Sequence, residues 1–398
     1  MQKNRNEGRH VCILATDQSA AFNLVKADII IAKLEIFGVD RNSCALIRSY
    51  LTGRSTECLV GSCISSKVHL QSGVGEGSVV GPLFFVATLA DITEVTERGK
   101  QRIWEETGLH VDSELIAYAD DVSALLISDT EAALQVSVNV MMDEFSTYFS
   151  SAGLKMNPTK SELVMFQKGR QTQELFIGDQ PEATHMKLLG LTVDKGYTFQ
   201  RHSQIVAGSV RSKVEKISMV ASMLNYKNRK NITESIVLSV ASYCLAVWGY
   251  KYKWRRTVQK ALNHAVRMVL EAGPRSSITD GLKSLKWLNM DNNWRLEQAM
   301  SIWRLVENRN SPILWDVIMR ANNRVYIVRQ DGVRFDWWPK TCHGTNAFMW
   351  NAMKLFNELR IPQSSWYNTV MNRKMTKKEI RDEVKQRILD NFPNENMY

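Results

Sequence analysis

Residues 114–128 read ELIAYADDVSALLIS: two apolar runs rich in strand formers, with Asp120 and Asp121 side by side between them. Adjacent carboxylates repel, and neither flank supplies a cation. A tight turn between two strands resolves this by projecting both acids to one edge of a sheet. A second run of strand formers, VCILATD (11–17), also ends in an acid, Asp17. If the two strand ends are neighbours, three carboxylates share that edge. Divalent metal neutralises such a group, and Mg²⁺ prefers one or two carboxylates plus substrate phosphates. Taken alone, the pair fits an exposed Asp-Asp turn, a common loop feature, better than a metal site.

The rest of the first half alternates in the same way. Helical spacing of apolar residues with a glycine stop appears over 20–38 and again over 41–53. Residues 56–73 read as two strands around a turn, and 79–95 as an apolar helix with Pro82 near its first turn. Residues 97–114 are polar and read as a loop. An amphipathic helix follows over 129–153, with Asp129 as its cap and Gly153 as its stop. KSELVMF and KLLGLTVD are further strands. Near residue 200 the texture changes to basic amphipathic helices, and 320–345 is irregular and rich in Trp and Arg. We expect an α+β domain over 1–195, a helical domain over 196–310 and a basic C-terminal helical region over 311–398.

Charge follows the same division. Residues 1–194 hold 17 Lys and Arg against 25 Asp and Glu, a net of −8; residues 195–398 hold 34 against 16, a net of +18. That split points to an acidic catalytic half and a basic half that grips a polyanion. The six cysteines are scattered without a C-x-x-C pair, which argues against structural zinc or a disulfide framework. No apolar run approaches the roughly 20 residues that span a bilayer, and the polar N-terminus lacks a signal-type core. We therefore expect a nuclear or cytoplasmic protein, not a secreted one, with no membrane partner.

Five segments in order resemble the reverse transcriptases of non-LTR, LINE-like retrotransposons. ATDQSAAFNLV is similar to their first palm motif, an Asp followed five residues later by an aromatic. SGVGEGSVVGPLFF is similar to S-G-V-P-Q-G-S-x-L-G-P-L-x-F, and AYADD to the Y-x-D-D box. AGLKMNPTKSELVMF is similar to G-L-x-x-N-x-x-K-[ST]-E, and KLLGLTVD to the primer-grip strand. SYCLAVWGY and VQKALNHAVRMVL extend the likeness, less sharply, into a helical thumb.

The resemblance implies a polymerase palm, an antiparallel sheet with packed helices, followed by a basic helical thumb. It implies RNA-templated addition of deoxynucleoside triphosphates to a DNA primer, with two Mg²⁺ ions. Asp17, Asp120 and Asp121 would be the metal ligands. Lys160 would protonate the departing pyrophosphate, or is simply a solvated lysine. Phe22 would exclude a ribose 2′-OH, and Gly77 would let the backbone approach the nucleotide. Tyr118 would support the primer end or fill the strand core.

Three positions depart from the family pattern: Glu76 stands for Gln, Asn23 for Asp and Gly75 for Pro. An ionised Glu76 donates no hydrogen bond, and at ~8 Å with an effective dielectric of ~20 it repels each unit of triphosphate charge by about 2 kcal/mol. The family's fingers and endonuclease segments precede the first motif, so we expect a palm and thumb portion of a longer polyprotein with impaired activity. The alternative is a catalytically inactive nucleic-acid-binding remnant. In the basic half, Lys251, Lys253, Arg255, Arg256 and Lys260 form a candidate phosphate-binding stripe, and residues 372–387 a second. Trp254, Trp337, Trp338 and Trp350 lie among basic residues as candidates for base stacking. Trp248 and Trp287 sit in apolar helical patterns and read as packing residues.

Overall fold

The computed structural model describes residues 8–307 except 19, 76 and 167–172, the strands 325–328 and 332–335, residue 355, and 376–394 except 393. The chain folds as two compact units. One comprises 1–190 and 194–197, the other 191–193 and 198–398.

The first unit begins with β1 (His10–Thr16), five of whose seven residues are buried. Three helices follow: α1 (Ala21–Leu24), α2 (Ala27–Ile36) and α3 (Arg41–Leu51). The single helix expected over 20–38 is therefore broken at Val25 and Lys26. The cause is a crossing segment: Phe22 O accepts from Val74 N at 2.8 Å and Val25 O from Gly73 N at 2.7 Å, in place of helical partners. An arm then projects as four two-residue strands, β2 (Ser55–Thr56), β3 (Leu59–Val60), β4 (Cys63–Ile64) and β5 (Val68–His69). β2 pairs with β5 at its base and β3 with β4 at its tip.

α4 (Gly81–Thr88) and α5 (Thr93–Thr107) replace both the helix expected over 79–95 and the loop expected from residue 97. The chain turns between them because Asp91 is drawn to the Lys33 ammonium and the Tyr148 hydroxyl. α5 is a helix despite its polarity. Val95, Thr96, Gly99 and Ile103 form a narrow buried stripe, while Glu94–Arg98, Glu97–Lys100 and Arg102–Glu106 pairs line the wet side.

β6 (Asp112–Tyr118) and β7 (Asp121–Ser128) form the expected hairpin. α6 (Glu131–Ser151) is capped by Thr130, whose Oγ1 accepts from Ala133 N at 3.1 Å. The expected cap, Asp129, instead pairs with Arg9. β8 (Glu162–Phe166) completes a four-stranded antiparallel sheet in the order β6-β7-β1-β8. The core contains Leu14, Val122 and Leu126 of the sheet with Phe85, Ile103, Phe145 and Phe149 of the helices. Fully burying each such side chain contributes ~1.5–3 kcal/mol. A small hairpin of β9 (Phe176–Ile177) and β10 (Gln180–Pro181) follows. KLLGLTVD is also a hairpin rather than one strand. β11 (His185–Leu188) and β12 (Leu191–Asp194) flank Leu189 and Gly190, both at positive φ.

The second unit is mostly helical: α7 (Gln200–Ser218), α8 (Tyr226–Thr233), α9 (Ser239–Ser242), α10 (Leu245–Trp248), α11 (Tyr252–Leu270), α12 (Ile278–Leu285) and α13 (Met290–Glu307). A π-turn over Glu234–Leu238 joins α8 to α9. Trp248 is fully buried, its indole donating to Tyr243 O at 2.8 Å, and His202 meets its ring edge-on at 5.5 Å between centroids. Trp287 is buried too, and donates to Glu234. The 320–345 stretch is not wholly irregular: β13 (Val325–Val328) and β14 (Gly332–Phe335) form an antiparallel pair. α14 (Lys377–Asn391) carries a capping box of Thr376 and Glu379 and is tied to α13 by Arg381–Glu297 at 2.6 Å.

Candidate active site

The β6–β7 hairpin closes through only two residues, Ala119 and Asp120, between the paired Tyr118 and Asp121. Ala119 takes φ +52°, the positive value that the first loop residue of a type II′ turn requires. Asp120 is thereby exposed at the tip and Asp121 heads β7. On the neighbouring strand Thr16 pairs with Val122, so the next step of the same register sets Asp17 opposite Asp121. Directly opposed residues of an antiparallel pair share a face of the sheet. All three acids thus lie at one end of β1 and β7.

Their charges are felt. Partial burial and then the Asp120 and Asp17 carboxylates push the Asp121 carboxyl above its ordinary range, while Lys187 opposes them. Lys160 also faces this edge, with Nζ 3.9 Å from Asp17 Oδ2. The backbone explains how it gets there. Gln18 bridges Met156, and Asp17 O accepts from Asn157 N at 2.9 Å, so the 156–160 segment runs beside the end of β1. Among the described residues no three His, Cys, Asp or Glu side chains close into a metal cage. An open set of carboxylates on one edge still suits Mg²⁺, which keeps several ligand positions for water and phosphate.

The Phe22 ring stacks on Phe85 at 4.6 Å between centroids and is half-buried. Gly77 sits at φ +78° with open space where a side chain would project. Tyr118 is 68% exposed, so it does not fill the strand core. Glu76 lies outside the described residues.

The basic stripe is divided. Lys251, Lys253, Arg256 and Lys260 are exposed, and both Lys251 and Lys253 lie over the Trp254 ring at 5.7 and 5.5 Å. Arg255 does not belong with them. It is buried against the Trp294 ring, pairs with Asp291 and donates to Gly249 O. Trp254 is also buried, its indole donating to Thr198 O at 2.9 Å, which removes it from base stacking. In the second stripe Arg381 and Arg387 are ion-paired, and burial lowers the pKa of Lys385. Trp337, Trp338 and Trp350 lie outside the described residues.

Sequence reasoning missed three residues. Lys187 adds a cation near Asp121, and the Gln18 side chain is buried with neither amide atom bonded among the described residues. Arg54 fastens three carbonyls near the glycine loop. An isolated Lys, Gln or Arg outside a helical pattern carries no sequence signal of such contacts.

The first unit thus sets acids at two adjacent strand ends of an antiparallel sheet, with helices packed against that sheet. Residues 1–193 match the model of the reverse transcriptase (RNA-dependent DNA polymerase) family. The chain is 27% identical over 210 residues to the probable RNA-directed DNA polymerase from transposon X-element of Drosophila melanogaster, covering 51% of this chain and 22% of that one. It is 28% identical over 211 residues to the RNA-directed DNA polymerase from mobile element jockey of Drosophila funebris, with the same 51% and 22%. The matched segment therefore spans about a fifth of the curated relatives' length. Apo telomerase from Candida tropicalis overlaps 71% of this chain and 44% of its own at 10% identity, with a TM-score of 0.37, too low to define a shared architecture.

Proposed function

We propose that this chain adds deoxynucleotides to a primer 3′-OH on an RNA template, in the nucleus or cytoplasm. The observation that carries this reading is the gathering of Asp17, Asp120, Asp121 and Lys160 at one sheet edge within a reverse transcriptase domain. Asp17, Asp120 and Asp121 would hold two Mg²⁺, which when bound supply Lewis-acid activation of the attacking hydroxyl and charge stabilisation at the leaving pyrophosphate. Lys160 Nζ stands within reach of Asp17 and has a proton to give to a departing phosphate oxygen. Phe22, held rigid by Phe85, blocks the space beside a sugar C2′, and Gly77 leaves room for a nucleotide to approach the backbone. Lys251, Lys253, Arg256 and Lys260 offer cations to duplex phosphates.

Extension of oligo(dT) on poly(rA) by the purified chain tests this. Mg²⁺-dependent extension that falls to background in Asp120→Ala supports it. Glu76 favours a second reading, because a carboxylate near a triphosphate weakens its binding. Salt-sensitive nucleic-acid binding without extension on any template–primer selects that inactive, binding-only remnant.

A further inference from the structure

Between the acids and the projecting arm, the chain crosses itself in a way the catalytic reading leaves unexplained. Residues 72–74 run past α1 and are stitched to it. Ser72 Oγ donates to Asn23 O at 2.9 Å, Gly73 N to Val25 O at 2.7 Å and Val74 N to Phe22 O at 2.8 Å. The approach is close: a Cβ on Gly73 would lie 2.9 Å from Asn23 O, and Gly73 already sits at φ +90°. Immediately beyond comes the Gly75–Ser78 turn that presents Gly77, closed by Ser78 N donating to Gly75 O.

Arg54 holds the far side of that crossing. Its Nε donates to Leu51 O at 3.0 Å, at the open C-terminal end of α3. Its Nη2 donates to Ser72 O at 3.1 Å and also to Gly73 O. Among the described residues the half-buried guanidinium has no carboxylate partner; all its bonds go to carbonyls. The Arg54 carbonyl in turn accepts from Leu70 N at 2.9 Å, closing the base of the arm. A guanidinium presents five N–H groups in a fixed fork, so it can lock three carbonyls from two segments in one geometry; a lysine ammonium cannot.

We propose that Arg54 is a positioning residue for the nucleotide pocket: it sets the spacing between Phe22 and the Gly75–Ser78 turn, and so sets nucleotide affinity and sugar choice. This rests on the polymerase reading. Loss of the guanidinium frees residues 72–73 from α3, leaves the three bonds to α1 as their remaining hold, and so loosens the turn beside the Phe22 helix. Chemistry at the acids, on a separate strand pair, is left alone.

Two variants of the full chain, Arg54→Met and Arg54→Lys, test it by primer extension across a nucleotide titration and by amide hydrogen exchange. In Arg54→Met the deoxynucleotide KM rises about tenfold or more while kcat changes less than about threefold, the pattern of lost binding rather than lost catalysis. Selectivity against ribonucleotides falls in parallel, and Arg54→Lys recovers only part of either. The Gly73 and Val74 amides exchange at least about tenfold faster, with β1 and β7 amides unchanged as the measure of an intact fold. Faster exchange with an unaltered KM overturns the proposal by reducing Arg54 to a structural clamp, and unaltered exchange overturns it outright. A wild-type chain that takes up no nucleotide sinks the polymerase reading and this proposal with it. A wild type that takes nucleotide beside an indistinguishable Arg54→Met sinks this proposal alone.

Discussion

Arg255 shows how much a single helical turn decides. It was grouped with its basic neighbours by composition, yet Lys253, Arg256 and Lys260 recur at helical spacing on one face of α11, and Arg255 falls on the other with Trp254, Val258 and Leu262. The period of 3.6 held that information. The ion pair of buried Arg255 with Asp291 predicts different outcomes for neighbours. Arg255→Met leaves the partly buried Asp291 without its cation and costs ~2–3 kcal/mol of stability by denaturant unfolding. Lys260→Ala changes stability by no more than ~0.5 kcal/mol. His202 gives a second test at this scale. Its Nδ1 accepts from Thr192 N at 3.2 Å, its Nε2 has no partner among the described residues, and burial pushes its pKa down to about 4. Because the folded value lies below the unfolded ~6.5, the unfolded chain binds the proton first, and stability present above pH ~6.5 is lost as pH falls towards 4. Unfolding free energy should drop by about 2.5 kcal/mol between pH 7.5 and 4.5, and His202→Gln should flatten that slope. That Asp17, Asp120 and Asp121 meet at one sheet end was legible, because strand-forming runs that stop at an acid show it in residue type and order. Arg54 was not, because its role depends on carbonyls 18 and 19 residues away.

Among elements, the hairpin at Asp120 and the strands β1 and β8 were legible from apolar runs ended by acids or turns. The failures have two physical sources. α5 was read as a loop because its buried stripe uses Thr96 and Gly99 beside only two large aliphatics, so its amphipathicity is muted in composition. α1 and α2 were read as one helix because the hydrogen bonds that break them come from residues 73 and 74, far along the chain. The start of α6 supplies a measurable contrast. Thr130 makes the cap and Asp129 only a pair with 81% exposed carboxylate. Thr130→Ala should cost ~1 kcal/mol, and Asp129→Ala no more than ~0.5 kcal/mol, in denaturant midpoints. Equal losses would return the cap to Asp129.

At the scale of the whole molecule, the contrast between −8 and +18 was visible in the sequence, while which cations remain available was not. Ion pairs already occupy Arg229, Arg255, Arg381 and Arg387. Binding through the remaining exposed cations releases counterions from the nucleic acid. For ~5 neutralised phosphates, log affinity of the full chain for duplex should fall with log salt at a slope of about −4 to −5, with little dependence on base sequence. A salt series on two unrelated duplexes measures both. A flat response would leave the basic helices as solvated faces. No described helix is long and apolar enough to cross a membrane.

The arm of residues 55–69 has its own consequence. Its base is fixed twice, by the β2–β5 pair and by Leu70 bonding back to Arg54, whereas its tip turns at Gly61 with Leu59, Val60 and Ile64 more than half exposed. Extra residues at that tip need not disturb the base, and each doubling of a flexible loop adds only ~0.6 kcal/mol of closure entropy. The arm is thus a place where the gene can tolerate insertion, and where an epitope or fluorophore tag could be carried without entering the crossing that Arg54 holds.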